Sequence, residues 1–209
     1  LFRIQQYYRT VFTKLVNSVK CWKEALPMKI EETSIEGLFI LKDLPSFKDI
    51  RGKLFKPYSS SFFANEKNLN SEMKELWFTF SKRDVIRGMH LQIGEFACEK
   101  IVSVIKGKLQ DVIIDLRKDS KTFRQVFELV IEEQDNKAIY IPKGCAHGYK
   151  VLEDDTITMY IATDVHSQKD DVGIRWNSFE YDWKIEYPII SEKDSLLPTL
   201  EEFLNTYSV

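Results

Sequence analysis

Two short stretches hold the residues best able to move protons: Arg87-Gly88-Met89-His90-Leu91-Gln92 and Pro142-Lys143-Gly144-Cys145-Ala146-His147-Gly148. The chain has three histidines, and two of them stand here, each beside glycine and an apolar run. A histidine so placed can be a buried hydrogen-bonding residue, a metal ligand or a proton carrier. Two of them in matching strand-and-turn contexts point to one shared cavity. A neutral imidazole is the natural base near neutral pH once a carboxylate orients its ring. The Tyr160 phenol suits donation of a proton to a carbanion-like carbon, and the Lys100 ammonium suits stabilisation of an enolate oxygen. No serine or cysteine sits in a recognisable nucleophile elbow, and Cys145 has apolar neighbours rather than cationic ones. The set reads as proton transfer without a nucleophile.

The bulk numbers bound what must position these groups. A chain of 209 residues suits one domain with a full core, with room for a small appendage. Charged residues make up 30% of it but nearly balance at a net charge of −2, so no global field favours nucleic acid or an anionic membrane. Cys21, Cys98 and Cys145 are odd in number and lack CxxC spacing, which argues against a disulfide framework or structural zinc and for a reducing cytoplasm. No apolar run approaches the roughly 18 residues of a membrane span.

Residues 1–27 differ from the rest. Arg3, Arg9, Lys14, Lys20 and Lys23 face a single acid, Glu24, while Tyr8, Val11, Phe12, Leu15, Val19 and Trp22 recur at helical spacing. The expectation is a basic amphipathic extension, closed by Pro27, ahead of a domain over residues 28–209. It would be a stretch before a true start at Met28, a helix docked on the domain, or a helix that touches a membrane surface or partner.

From Ile35 the pattern turns to strands. Gly37–Lys42, Gly52–Lys56, Leu76–Ser81, Val85–Gln92 and Lys100–Ile105 come first, then Leu109–Leu116, Phe123–Ile131, Ala138–Ile141, Gly148–Leu152 and Thr156–Ala162. Short strands at this spacing, broken by Gly, Asn, Asp and Pro, predict an all-β sandwich or barrel. A closing helix is expected over Leu196–Tyr207, capped by Asp194 or Ser195. Alternation puts Tyr160 and Thr158 on one face of their strand and Ile157, Met159 and Ile161 on the other. Gly88 is a candidate bulge that lets Arg87 and His90 converge.

Several motifs in order then resemble the dTDP-4-dehydrorhamnose 3,5-epimerase family. They are Phe47-Lys48-Asp49-Ile50-Arg51-Gly52, the Arg87–Gln92 stretch, Glu99-Lys100-Ile101-Val102, Asp111–Arg117, Ile141–Gly148, Tyr160 and Ser191-Glu192-Lys193-Asp194. The resemblance spans roughly residues 35–200. It implies a cupin-like jelly-roll β-sandwich with a short C-terminal helix, here preceded by an extra N-terminal helix. It also implies a homodimer that epimerises C3 and C5 of a nucleotide-diphosphate 4-keto-6-deoxy sugar with no cofactor and no metal. On the family pattern His90 is the base, Asp194 orients it, Tyr160 is the opposing acid and Lys100 stabilises the enolate. Arg51, Arg87, His147 and Lys193 then hold the substrate, with Asp171 where the family usually has glutamate.

Taken singly these residues have plainer readings. Asp194 would be a helix cap, Lys100 a surface lysine at a sheet edge and Tyr160 a core aromatic. His166 would be solvated, and Asp115 with Arg117 a structural ion pair. The chain also departs from the family pattern. Glu75-Leu76-Trp77 replaces a Gln-x-Asn element, Lys56 stands for a glutamate and Val165 for a tyrosine. All three departures are expected in the part of the site around the nucleotide base, so a different nucleotide or sugar, or inversion of one carbon only, is the reading they suggest. Competing functions are a related sugar-nucleotide ketoisomerase, a non-catalytic sugar-binding cupin, and a metal-dependent cupin. The last is weakened by Gln92 standing where the first metal motif has its second histidine.

Overall fold

A computed structural model of the chain describes residues 28–66 and 69–209. The helix expected within residues 1–27 lies outside the described residues. The strands are β1 (Lys29–Glu32), β2 (Phe39–Lys42), β3 (Ser46–Asp49), β4 (Gly52–Phe55), β5 (Glu75–Ser81), β6 (Ile86–Gln92) and β7 (Lys100–Lys106). They continue as β8 (Lys108–Asp115), β9 (Val126–Glu132), β10 (Ala138–Ile141), β11 (Cys145–Val151), β12 (Thr156–Ala162) and β13 (Asp171–Gly173). Among the described residues the short α-helices are α1 (Ser60–Phe63), α2 (Glu192–Ser195) and α3 (Leu200–Thr206).

Two sheets face each other, one ordered β1-β2-β10-β7-β12-β5 and the other β13-β6-β11-β8-β9, while β3 and β4 form a separate hairpin. All strand pairs are antiparallel. This is the β-sandwich that the spacing of short strands predicts. Alternation divides each strand between two cores. Tyr160 and Val102 join the inner core with Ile113 and Val151, whereas Met159, Ile161 and Ile101 pack on the outer side of the first sheet with Phe63. On the second sheet Val112, Ile114, Met89 and Leu91 face outward beneath Trp183, Leu200 and Phe203. Each buried aliphatic or aromatic side chain contributes about 1.5–3 kcal/mol of transfer free energy, which fixes the register.

The C-terminal segment corrects one expectation. Instead of a single helix over Leu196–Tyr207, two helices form, capped by the Ser191 and Thr199 side chains. Pro198 between them lacks an N–H and disfavours helical geometry in the residue before it, so the chain restarts at Thr199. Asp194 is therefore inside α2 rather than capping a long helix, and its side chain is free for other work. The segment packs over β6 as part of the outer core, which carries α2 to the side of His90.

β6 and β11 pair with a shift: His147 faces His90, but Tyr149 faces Arg87. Three steps on β6 answer two on β11, so β6 carries one extra residue at Gly88 and Met89. The bulge turns Arg87 and His90 to the same side, as expected from Gly88. Only glycine fits there, because Gly88 has φ +118° and a Cβ would lie 2.6 Å from the Gly148 Cα.

Candidate active site

Along β7 the inward positions change from Val104 and Val102, both in the inner core, to Lys100 at the strand's start. On β12 the matching progression ends at Tyr160 and Ala162, with Ala162 directly opposite Lys100. Here aliphatic packing gives way to a cavity of about 800 Å³ between the sheets, within the range that takes a small-molecule ligand. Lys100, Tyr160 and Trp77 line it from the first sheet, and Arg87, His90 and His147 from the second. The C-terminal segment adds Lys193 and Asp194 to its wall.

His90 Nε2 lies 2.9 Å from Asp194 Oδ1, and Asp194 Oδ2 accepts the Gly88 N–H at 3.0 Å. Burial works against the Asp194 charge, but the hydrogen bond and charge of His90, the Gly88 N–H and Ser191 outweigh it, holding the carboxyl below the usual carboxylate range. An ionised carboxylate only accepts, so Nε2 carries the ring proton and Nδ1 keeps the lone pair. In the neutral ring this arrangement leaves Nδ1 free to take a proton.

Tyr160 is buried, stacked on Trp77 with ring centroids 5.0 Å apart and planes 3° from parallel. Trp77 stands directly opposite it on β5. Burial is the main cause that pushes the phenol pKa well above its ordinary value, with Tyr149 and the Asp111 charge adding to it and Arg87 opposing. The phenol keeps its proton at neutral pH, the form an acid needs. Burial also lowers the Lys100 pKa, the largest of its influences. Cys98 and Asp171 pull the other way, and Lys193 adds repulsion. An ammonium so desolvated interacts strongly with a nearby oxyanion.

The remaining expected residues divide. His147 sits within β11 rather than in a turn, with Nε2 2.5 Å from Asp111 Oδ1 and its ring 5.9 Å from that of Tyr160. Lys193 and Asp171 both line the cavity and are bound to each other at 2.6 Å. Arg87 reaches the wall and donates from Nε to Ser81 Oγ at 3.1 Å. Arg51 does not join them. It lies in the turn of the β3–β4 hairpin, its side chain 86% exposed and paired with Asp49.

Of the departures from the family pattern, Glu75, Leu76 and Trp77 all line the cavity. Trp77 packs against the phenol, and Lys56 and Val165 are exposed and outside the cavity lining. His166, expected to be merely solvated, lines the cavity. Asp115 and Arg117 form the structural pair expected of them, with Ser120 and Thr122 completing the carboxylate's shell.

Sequence reasoning missed Asp111 as the partner of His147. An acid in the otherwise apolar run Val112-Ile113-Ile114 was the available signal. Asp111 is fully buried, and its Oδ2 has no hydrogen-bond partner among the described residues. Tyr149 and Thr79, which also line the cavity, were missed because nothing in their spacing distinguishes them from core positions.

Comparison with known proteins bears on this geometry. Residues 32–202 match the model of the dTDP-4-dehydrorhamnose 3,5-epimerase family. The dTDP-4-dehydrorhamnose 3,5-epimerase of Escherichia coli K12 is 32% identical over 180 residues, covering 85% of this chain and 97% of its own. That of Methanothermobacter thermautotrophicus is 32% identical over 176 residues, covering 82% of this chain and 94% of its own. The crystal structure of the Bacillus anthracis enzyme with TDP and PPi bound superposes with a TM-score of 0.77 at 32% identity, covering 82% of this chain and 99% of that one.

Proposed function

The chain belongs to the dTDP-4-dehydrorhamnose 3,5-epimerase family, and on that premise we propose that it inverts C3, C5 or both in a nucleotide-diphosphate 4-keto-6-deoxy sugar through an enolate. The observation that carries the mechanism is the entry of His90 and Tyr160 into one cavity from opposite sheets, with Lys100 beside Tyr160's strand. A C4 ketone acidifies the hydrogens on both neighbouring carbons. The Nδ1 lone pair of His90, aligned by Asp194, removes one of them. Charge passes to the C4 oxygen, where the Lys100 ammonium meets it. Tyr160 then delivers its proton to the other face of the same carbon, and the centre is inverted. Each positioned proton carrier typically contributes about 10²–10⁴-fold.

Arg87 and Lys193 would bind the diphosphate, and His147 a sugar hydroxyl, with Asp171 holding Lys193 in place. The working domain is residues 28–209, which the family match from residue 32 supports. We place the reaction in the cytoplasm and the enzyme in a homodimer. Cys98 and Cys145 are free thiols, and no helix among the described residues is long and apolar enough to cross a membrane. Leu76, Phe78 and Phe80 form an exposed apolar row on the edge strand β5, a surface suited to a second copy. In such a dimer Arg51 would serve the neighbouring cavity from its hairpin.

The test is proton exchange at C3 and C5 in deuterated water, across dTDP-, CDP-, GDP- and UDP-linked 4-keto-6-deoxy sugars. Exchange with inversion on at least one of them, abolished in His90→Ala, is expected. No exchange on any would refute the reading. Mixing Arg51→Ala with His90→Ala chains should restore part of the activity if Arg51 acts across the dimer.

A further inference from the structure

Inversion leaves the enzyme one proton out of place. His90 has gained the hydrogen taken from carbon, and Tyr160 has lost the one it gave. Before a second carbon, or a second substrate, can be inverted, Tyr160 must regain a proton. His90 cannot return its own, because it lies on the opposite sheet with the sugar between. Arg87 does not release protons, and His147 is tied to Asp111 and meets the Tyr160 ring in a T-shaped contact.

What adjoins Tyr160 instead is a second phenol. The Tyr149 ring is 6.4 Å away, tilted 39° to that of Tyr160, and close enough for the two phenols to act on each other's charge. The Tyr149 hydroxyl in turn lies 2.8 Å from the Thr79 Oγ1. Thr79 is partly exposed on the edge strand β5, whereas both phenols are buried. The three hydroxyls therefore run from the reacting wall to the rim of the sheet. We propose that Tyr149 and Thr79 are a relay that reloads Tyr160 with a proton from solvent while the sugar is still bound. This rests on Tyr160 being the acid.

The step balances. The Tyr160 O–H bond breaks as the carbon–hydrogen bond forms, leaving a phenolate. Tyr149 passes its hydroxyl proton to that oxygen, Thr79 passes its own to Tyr149, and water at the rim supplies Thr79; the hydroxide left there is neutralised by the proton that His90 took from carbon and releases to solvent. Burial holds the Tyr160 pKa well above its ordinary value, so at neutral pH its phenolate takes up a proton. Tyr149 and Thr79 are positioning residues here, since they act through Tyr160.

Three variants of the full chain test this in deuterated water, with whichever of the dTDP-, CDP-, GDP- and UDP-linked 4-keto-6-deoxy sugars wild type exchanges fastest. Tyr149→Phe and Thr79→Val remove one hydroxyl each and keep the shape, and Thr79→Ser keeps the hydroxyl. The expected result is a fall in kcat of about tenfold or more for the first two, with KM little changed and kcat near wild type in Thr79→Ser. Rapid quench should show the first inversion intact and singly inverted product accumulating. The solvent isotope effect should depend on several protons in wild type and on fewer in Tyr149→Phe. Unchanged kcat and product ratio in both variants, or a fall that Thr79→Ser shares, would overturn the relay while leaving Tyr160 as the acid. Absence of exchange in wild type on all four nucleotide-linked sugars would instead overturn the reading beneath it.

Discussion

Asp194→Asn separates a base from an ordinary buried imidazole. Asp194 is 4% exposed, so the amide occupies nearly the same volume, but one of two acceptors becomes a donor. The Gly88 N–H, 3.0 Å from Oδ2, requires an acceptor and keeps the amide oxygen. The NH₂ group then faces His90, whose Nε2 must accept. Its ring proton moves to Nδ1, the atom that has to take hydrogen from the sugar. The opposite amide orientation sets NH₂ against the Gly88 N–H and leaves buried donors unpaired, at about 1–3 kcal/mol. Either way the lone pair is lost or the dyad is destabilised, and kcat should fall by about 10²–10⁴ with a much smaller change in KM. Single-turnover exchange at C3 and C5, followed by proton NMR, reads the step directly. A variant exchanging both protons at near wild-type rate would refute the dyad. Stability gives a second check. The folded-state pKa of Asp194 is depressed, so its contribution is full above the unfolded value of about 3.9 and is lost as pH falls through the lower folded one. The stability gap between wild type and variant should therefore close on acidification below about pH 4.

Three further outcomes follow from the same geometry. Tyr160→Phe keeps the stack on Trp77 but removes the acid; inversion should fall by about 10²–10⁴, while His90-dependent exchange with retention persists in deuterated water. Lys100→Met should lower kcat by about 10²–10³. Because burial depresses the Lys100 pKa, wild-type kcat should fall on the alkaline side at a lower pH than a free lysine would dictate, and Lys100→Met should lack that limb. Asp115→Asn should leave kcat alone and cost about 1–3 kcal/mol in urea unfolding. Burial opposes the Asp115 charge, but Arg117, Ser120 and Thr122 hold its pKa down, so this contribution is present above about pH 3.9 and lost as pH falls through the folded value.

The strands were legible because their signal is local. Ile157, Met159 and Ile161 separate from Tyr160 by alternation alone, and the structure puts them on opposite faces of the first sheet. Gly88 was legible for the same reason, since a glycine inside an alternating run marks a bulge. Long-range pairing was not. Nothing near Asp111 in sequence says that it meets His147, and the two become neighbours only because β8 and β11 pair. Asp194 was visible as a residue but its helical setting was not, because the one helix expected to begin after it is replaced by two, the first of which contains it. Arg51 was the opposite case: a motif in the right order, carried on a hairpin that leaves its own cavity. Trp77 could be read as a departure from the family pattern, but its place against Tyr160 depends on the β5–β12 register.

That register matters for stereochemistry. Inversion of a carbon needs a base and an acid on opposite faces of a nearly planar enolate, at a separation set by the sugar ring. A single sheet offers one face, and loops on one rim would approach from one side. A sandwich has two walls about 10 Å apart, and this chain opens them where aliphatic filling stops, between Val102 and Lys100 on one wall and at the Gly88 bulge on the other. The bulge brings Arg87 and His90 to one side, the C-terminal segment brings Asp194 behind the imidazole, and Trp77 backs the phenol. On the proposed mechanism each wall supplies one proton carrier with its own rigid support, so that closing the gap by filling it with aliphatic side chains at Lys100 and Ala162 should abolish inversion while leaving both dyad and phenol intact.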